Sequence, residues 1–336
     1  MPPGAFSLLM PTATAKPLLI MLMGPTASGK TDVAMALSKV LPVDIISVDS
    51  TLVYRGLNIG SAKPTLAELI EYPHQLINIC DPAEPYSAAS FCRDAEREIT
   101  AIAGAGRIPI LVGGSMMYFK SLLDGLADMP ETDPAIRQGI AAEAAIEGWP
   151  AMHEQLKAVD PEYAVKLHPN HSQRISRALE VFRDSGITMT QYRQRQHQAD
   201  AKPKFLDRFT VVALGLLPDD RVLLHERIFN RFNKMLENGF VTEVEGLRGR
   251  ADLHLDLPSM RAVGYRQIWQ YLDGDYDYAA MIDKGVAATR QLAKRQLTWL
   301  RDWPELIQLP VDKVHSELLV QKKVELILSF LPPRYI

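Results

Sequence analysis

The sequence predicts an α/β fold, a parallel sheet flanked by helices with an all-helical insertion domain, and three observations predict it. An apolar run over 18–23 ends at Gly24 in a glycine-rich turn, after which Val33, Ala34, Leu37 and Val40 or Leu41 recur at helical spacing. Strand, glycine loop and helix in that order open a doubly wound domain. Two more short apolar runs, 45–48 and 108–112, read as strands buried on both faces, while 135–200 reads as helices only.

Each element follows in order. The first strand, 18–23, leads through the glycine turn into the first helix. The second strand, 45–48, stops at Asp49. A helix over 88–103 precedes the third strand, 108–112, which stops at Gly113-Gly114-Ser115. Ligands of such sheets bind beyond the carboxyl ends of the strands, so residues 24–31, 49–52 and 113–115 form one expected site. Proline and acidic turn residues over 128–134 mark a boundary, and within the insertion Ile175, Ala178, Leu179 and Phe182 are spaced i, i+3, i+4, i+7. Val/Leu-rich character returns over 209–217, after which the core is expected to end in helices. The domain plan is therefore a loose leader, 1–15, a core over 16–130 and 206–336, and a helical insertion over 131–205.

Length and composition suit that plan. The chain has 336 residues, 47% hydrophobic and 23% charged, enough for two domains with sizeable cores. Net charge is −3, so a nucleic-acid site has to be a local basic surface. Cys80 and Cys92 are the two cysteines, too few for a disulfide framework, which suits the cytoplasm. The six-residue apolar run after Lys16 is too short for a signal-peptide core, and no segment approaches the ~20 apolar residues of a membrane span.

Gly24, Pro25, Thr26, Ala27, Ser28, Gly29, Lys30 and Thr31 match G-x-x-x-x-G-K-[ST] between a strand and a helix. The sheet is therefore P-loop NTPase-like. Loop amides and a helix N-terminus cradle phosphate oxygens, Lys30 neutralises them, and the Thr31 hydroxyl holds Mg²⁺. Asp49 ends its strand 19 residues past Lys30, and the third strand ends in Gly-Gly-Ser without the acidic residue a Walker-B ATPase places on Mg²⁺. Chemistry other than simple ATP hydrolysis is expected. Asp-Ser after a strand is also a common turn or helix cap.

Further segments recur in order from about 18 to 303: Asp49-Ser-Thr-Leu-Val-Tyr-Arg55, Gly60-Ser-Ala-Lys-Pro64, Leu111-Val-Gly-Gly-Ser115, Gln173-Arg-Ile-Ser-Arg177-Ala-Leu-Glu180, Arg221 with Arg227-Ile and Arg231-Phe, Arg261-Ala-Val-Gly-Tyr-Arg266, and the stretch from Thr289 to Arg301. With the P-loop, this series resembles the tRNA dimethylallyltransferases of the bacterial type. The resemblance implies attack of the N6 amine of adenosine at tRNA position 37 on dimethylallyl diphosphate, with diphosphate leaving. An exocyclic adenine amine is a poor nucleophile, so a carboxylate has to take its proton, and Asp49 is the candidate. Lys30, Mg²⁺ on Thr31 and Arg231 are expected to stabilise charge on the leaving diphosphate. Ser115 is also counted with the catalytic group. Leu52 and Ser115 depart from the pattern, where many members have Gln and most have Thr, respectively.

The target adenine has to leave its stack, so flanking RNA contacts are needed. They are expected at Asp49, Ser50, Thr51, Leu52 and Ser115. In the insertion they are expected at Arg137, Gln173, Arg174, Ile175, Ser176 and Arg177. In the returning core they are expected at Arg261, Ala262, Val263, Gly264, Tyr265 and Arg266, and at Lys294, Arg295, Gln296, Leu297, Thr298, Trp299, Leu300 and Arg301. Charge is local as required: nine Lys/Arg against four Asp/Glu over 166–208, and five against none over 284–301. A solvated charged face is the plainer reading of either cluster alone. Arg290, Lys294 and Arg301 fall within about 40° on a helix, beside a Val286, Ala293, Leu297, Leu300 stripe. His168 and His171 read as a turn before a helix, both cysteines as packing, and Trp299 and Trp303 as core or interface anchors. A monomer is expected. Two other functions compete: a P-loop kinase acting on a small molecule, and a nucleotide-regulated RNA-binding protein without catalysis.

Overall fold

The computed structural model describes residues 16–125, 133–199, 204–218, 220–311 and 317–335. The expected leader, 1–15, and residues 128–132 of the expected boundary stretch 128–134 lie outside them. Their chain order is β1 (Leu18–Met23), α1 (Lys30–Ser38), β2 (Val43–Val48), α2 (Leu66–Glu71), β3 (His74–Gln75), α3 (Ala88–Gly104), β4 (Ile108–Gly113) and α4 (Met116–Asp124). These are followed by α5 (Pro134–Glu147), α6 (Trp149–Val159), α7 (Pro161–Ala164), α8 (Ser172–Ser185), α9 (Met189–Ala199), β5 (Thr210–Leu217), α10 (Arg221–Glu237), α11 (Phe240–Arg248), α12 (Tyr265–Leu272), α13 (Tyr278–Arg301), β6 (Ile307–Pro310) and α14 (Glu317–Phe330). They form two compact units, one from Met1–Ser121 with Leu206–Ile336 and one from Leu122–Phe205.

The first unit holds a six-stranded sheet in the order β3-β2-β4-β1-β5-β6, parallel at every pairing. The strands are apolar because both faces are covered, and all six residues of β1 and of β4 are buried. One face packs on α1 and on α14, whose Val324 and Ile327 join Ala34 and Leu37 in one cluster. After β5 the chain does not end in helices alone, as expected. It adds β6, four residues beside β5, and β3 adds a two-residue strand beside β2. Both are too short to show period-two alternation. The carbonyl of Lys16, just before β1, accepts from Arg334 (3.1 Å) and Tyr335 (2.9 Å), so the end of the chain ties to the start of the central strand.

The second unit is helical, with Ile140, Met152, Leu156, Ile175 and Leu179 at its core. Buried Asp160 organises one end. Its carboxylate accepts from the Tyr163 amide (3.2 Å) at the start of α7 and from the Thr190 amide (2.9 Å) and hydroxyl (2.6 Å) on α9. His168 and His171 form the turn before α8, as expected: the Asn170 amide donates to His168 Nδ1 (3.2 Å) and the His168 amide to His171 Nδ1 (3.3 Å).

Among the described residues, no helix is long and apolar enough to cross a membrane.

Candidate active site

Sheet order decides which strand ends meet. β4 lies between β2 and β1, so the loops after β1, β2 and β4 converge at the carboxyl edge. They line a cleft of about 350 Å³, within the range of small-molecule sites.

After β1 the chain turns through Ala27 (φ 63°) and Gly29 (φ 85°), the left-handed residue before α1. Gly24 has no space for a side chain: a Cβ there would stand 2.8 Å from Ser28 Oγ and 3.1 Å from the Leu216 carbonyl. Lys30 folds back over the loop and donates to the Pro25 carbonyl at 2.7 Å. Burial, with the Arg231 cation behind it, brings the Lys30 ammonium down to about 7, against a smaller opposing pull from Asp49. Ser28 Oγ is buried and has no hydrogen-bond partner among the described residues. Thr31 is exposed at the first turn of α1 and lines the cleft.

Asp49 is the turn cap that the sequence allowed, and it also lines the cleft. Its Oδ1 accepts from the Thr51 (2.8 Å) and Leu52 (3.3 Å) amides as a turn cap, and Oδ2 takes no bond among the described residues. The residue lines the cleft with Thr51 and Leu52. Ser115 Oγ accepts from the Ser50 amide (3.0 Å), and the Ser115 amide donates to the Val48 carbonyl (3.2 Å), so the loops after β2 and β4 are stitched together. This hydroxyl needs no methyl beside it, so Ser replaces Thr here without loss of the bond.

Further walls come from α10, α11 and α13 and from the 60–64 and 263–264 segments. Arg231 on α10 lines the cleft; burial pushes its guanidinium below its ordinary range, while Asp49 and Asp32 hold it up. Ile228, Phe232 and Met235 on the same helix, with Phe240 and Leu292, give the cleft apolar lining. The glycine-rich loop, an acidic side chain and an apolar surface thus share one cleft. Its donor set fits a cation held mainly by an incoming diphosphate. Among the described residues no three His, Cys, Asp or Glu side chains gather to hold a metal, and Mg²⁺ typically takes one or two protein oxygens, here the Thr31 hydroxyl, with phosphate and water.

Several expected RNA contacts need correction. Ile175, Gly264, Tyr265, Leu297 and Leu300 are buried and offer RNA no side-chain surface, because the apolar periodicity that builds their helices also packs them inward. Gln296 is buried as well. Its Oε1 accepts from the Thr26 amide of the phosphate loop (2.9 Å) and its Nε2 donates to the Gly114 carbonyl (2.9 Å), so it braces the cleft rather than RNA. Ser176 bonds to Glu180 (2.7 Å), which also pairs with Arg137 (3.2 Å) and lies 3.8 Å from Arg177. Ser50, Gln173, Arg174, Arg261, Arg266, Lys294, Arg295, Thr298 and Arg301 are exposed; Thr51, Leu52, Ala262 and Val263 are half-buried. Trp303 packs edge-on against Phe119 in the core as expected, whereas Trp299 is 44% exposed. Cys80 and Cys92 are buried, with both thiols pushed up by burial, Cys92 to about 12.

Two site residues escaped sequence reasoning. Lys63 lines the cleft, and Glu243 binds the loop that carries it. The Gly60-Ser-Ala-Lys-Pro64 motif was a signal for Lys63. Glu243 had none.

A family model described as IPP transferase matches residues 52–303, and one described as isopentenyl transferase matches 17–78. A full-length tRNA isopentenylpyrophosphate transferase from Bacillus halodurans is 34% identical, with 94% of this chain and 96% of that one covered and a TM-score of 0.66. The tRNA Δ(2)-isopentenylpyrophosphate transferase of Staphylococcus epidermidis is 30% identical over 94% and 98%, with a TM-score of 0.64. A eukaryotic dimethylallyltransferase acting on tRNA, 22% identical over 94% and 80%, shares the fold at a TM-score of 0.74.

Proposed function

The chain belongs to the IPP transferase family and is a tRNA isopentenyl/dimethylallyl transferase, and on that premise we propose that it moves a dimethylallyl group from dimethylallyl diphosphate to N6 of adenosine 37, beside the anticodon. One observation carries the reading: the phosphate loop with Lys30, the half-buried cation of Arg231 and the carboxylate of Asp49 line one cleft that also has an apolar side. A phosphate site alone would suit a kinase. A carboxylate beside it, with room for a short apolar group, suits alkyl transfer.

In this reading the P-loop amides, Lys30 and Arg231 bind the diphosphate, and the apolar side chains of α10 hold the prenyl chain. The N6 lone pair forms the new C–N bond as the C–O bond breaks, and the bonding electrons leave with diphosphate. Asp49 Oδ2 takes the N6 proton, because Oδ1 is committed to the turn. Lys30 and Arg231 face growing negative charge with little solvent between, where fixed cations act most strongly. Mg²⁺ would be held by Thr31 and would supply further neutralisation of the diphosphate.

RNA contacts are assigned to exposed side chains. On α13 these are Lys294, Arg295, Thr298, Trp299 and Arg301, which share a face because 293, 296, 297 and 300 take the other. Arg261, Arg266 and Ser50 join them. In the helical unit, Gln173 and Arg174 are assigned, together with the exposed edges of Arg137 and Arg177. The enzyme is placed in the cytoplasm with its tRNA, as a monomer. The test is incubation with Mg²⁺, tRNA and labelled dimethylallyl diphosphate, in parallel with γ-labelled ATP. Label should enter tRNA from the prenyl donor alone; phosphate transfer from ATP without prenylation would overturn the reading.

A further inference from the structure

We propose that Glu243 is a positioning residue for the donor site, holding the 58–63 wall of the cleft and the Lys63 ammonium on it. The proposal rests on the transferase reading above. Glu243 sits in the first turn of α11, more than 180 positions from the loop it binds. Its Oε2 accepts from the amides of Asn58 (3.0 Å) and Ile59 (2.7 Å), and its Oε1 from the Gly60 amide (3.2 Å) and the Tyr265 hydroxyl (2.6 Å). Three successive amides converging on one carboxylate make a backbone nest filled by the protein's own anion. Such charge-assisted bonds are stronger than neutral ones.

The nest fixes more than three residues. The Ala62 amide donates back to the Ile59 carbonyl (2.9 Å) and the Lys63 amide to the Asn58 carbonyl (3.0 Å), so the segment through Lys63 is tied to the residues that Glu243 binds. Gly60 lies so close to the rings of Phe240 and Tyr265 that a Cβ would overlap both. Lys63 Nζ donates to the Tyr54 carbonyl (2.8 Å) and to Asn78 Oδ1 (2.6 Å), and the residue lines the cleft beside Gly60 and Ser61. Burial brings its ammonium down to about 8, with Glu243 and then Asp49 opposing that shift. Glu243 therefore acts on Lys63 twice, through the backbone and through charge. Neither Asp49 nor the phosphate loop reaches the 58–60 amides. A glutamine would keep the shape but lose the charge, and its NH₂ would face amides that are themselves donors.

The test compares the parent with Glu243→Gln, Lys63→Met and the double variant, reading affinity for inorganic diphosphate by calorimetry from pH 6.5 to 9. Melting temperature and tRNA affinity are read alongside. Other charged groups lining the cleft are Lys30, Arg231, Asp32, Asp49 and Glu68, and their titration is common to all four proteins. Differences between proteins therefore report Lys63. Glu243→Gln is expected to weaken diphosphate binding by about fivefold or more at pH 8, with less effect at pH 6.5 and the alkaline fall moved to lower pH. Lys63→Met should show a similar loss without that movement, the double variant should add little at pH 8, and tRNA affinity should stay within about twofold. A folded Glu243→Gln protein with the parent's diphosphate affinity and pH profile would overturn the proposal and leave Glu243 a stabiliser of the fold. If that variant fails to fold, parental binding by Lys63→Met overturns it equally. A parent that binds diphosphate but does not prenylate tRNA would sink the transferase reading and leave this test standing.

Discussion

Asp49 commits Oδ1 to the amides of Thr51 and Leu52, and the proposed proton transfer falls to Oδ2, so an asparagine, whose carbonyl oxygen can replace Oδ1, keeps the turn and removes the proposed base. Asp49→Asn should lower kcat by about 10²-fold or more, the usual contribution of a general base, with tRNA affinity within a few-fold. Rapid-quench turnover and filter binding check both, and near-parental turnover removes Asp49 from the mechanism. Lys30 supports a second prediction, on proton uptake. With the cleft empty its ammonium titrates at about 7, so at pH 8 to 9 it is mostly neutral, while a bound diphosphate favours the charged form. Binding in that window should therefore take up a proton, approaching one per site, whereas below pH 7 uptake at Lys30 should fade. Calorimetry in two buffers of different ionisation enthalpy reads the number directly, and Lys30→Met should lose it.

At the scale of elements, the central fact is that α13 braces the phosphate loop across 270 positions of sequence through Gln296. Gln296→Leu leaves the Thr26 amide without its partner, at roughly 1–3 kcal/mol if it stays dry, and leaves the Gly114 carbonyl with the Met116 amide (3.0 Å) as its donor. The variant should raise KM for the prenyl donor and lower kcat, while the salt dependence of tRNA binding stays parental; steady-state kinetics beside a salt series checks this. A changed salt slope would return Gln296 to the RNA surface. The same helix shows what the sequence could and could not give. The phosphate loop was legible because glycines, lysine and threonine at fixed offsets carry their geometry locally. Arg231 and Asp49 were legible through motif resemblance and strand ends. Gln296 was misread because its neighbours Lys294, Arg295 and Arg301 are exposed cations, and only the helix's rotation assigns it inward. Glu243 was silent because three of its four partners are backbone amides, which no sequence distinguishes. β6 was missed because four residues show no periodicity.

For the whole molecule, a net charge of −3 means RNA binding has to draw on a few cations, and the structure separates free-standing ones from those already paired. Arg174 and Arg301 are exposed, whereas Arg177 borders the buried Glu180 and its loss would disturb that pair. Arg174→Ala and Arg301→Ala should each weaken tRNA binding and flatten its logarithmic salt slope by up to about one phosphate equivalent, with inorganic diphosphate affinity unchanged. Unaltered slopes in both would mean that RNA docks on other surfaces. The order of strands in the sheet also sets a timetable for a chain emerging from the ribosome. β1 pairs with β4 on one side and on the other with β5, Leu18 opposite Thr210, and the helical unit is synthesised between them. At roughly 5–20 residues per second, translation leaves one edge of the central strand without its partner for about 10–40 s. An open apolar edge is a template for pairing with other chains. The helical unit, which has a core of its own at Ile140, Met152, Leu156, Ile175 and Leu179, is made within that interval.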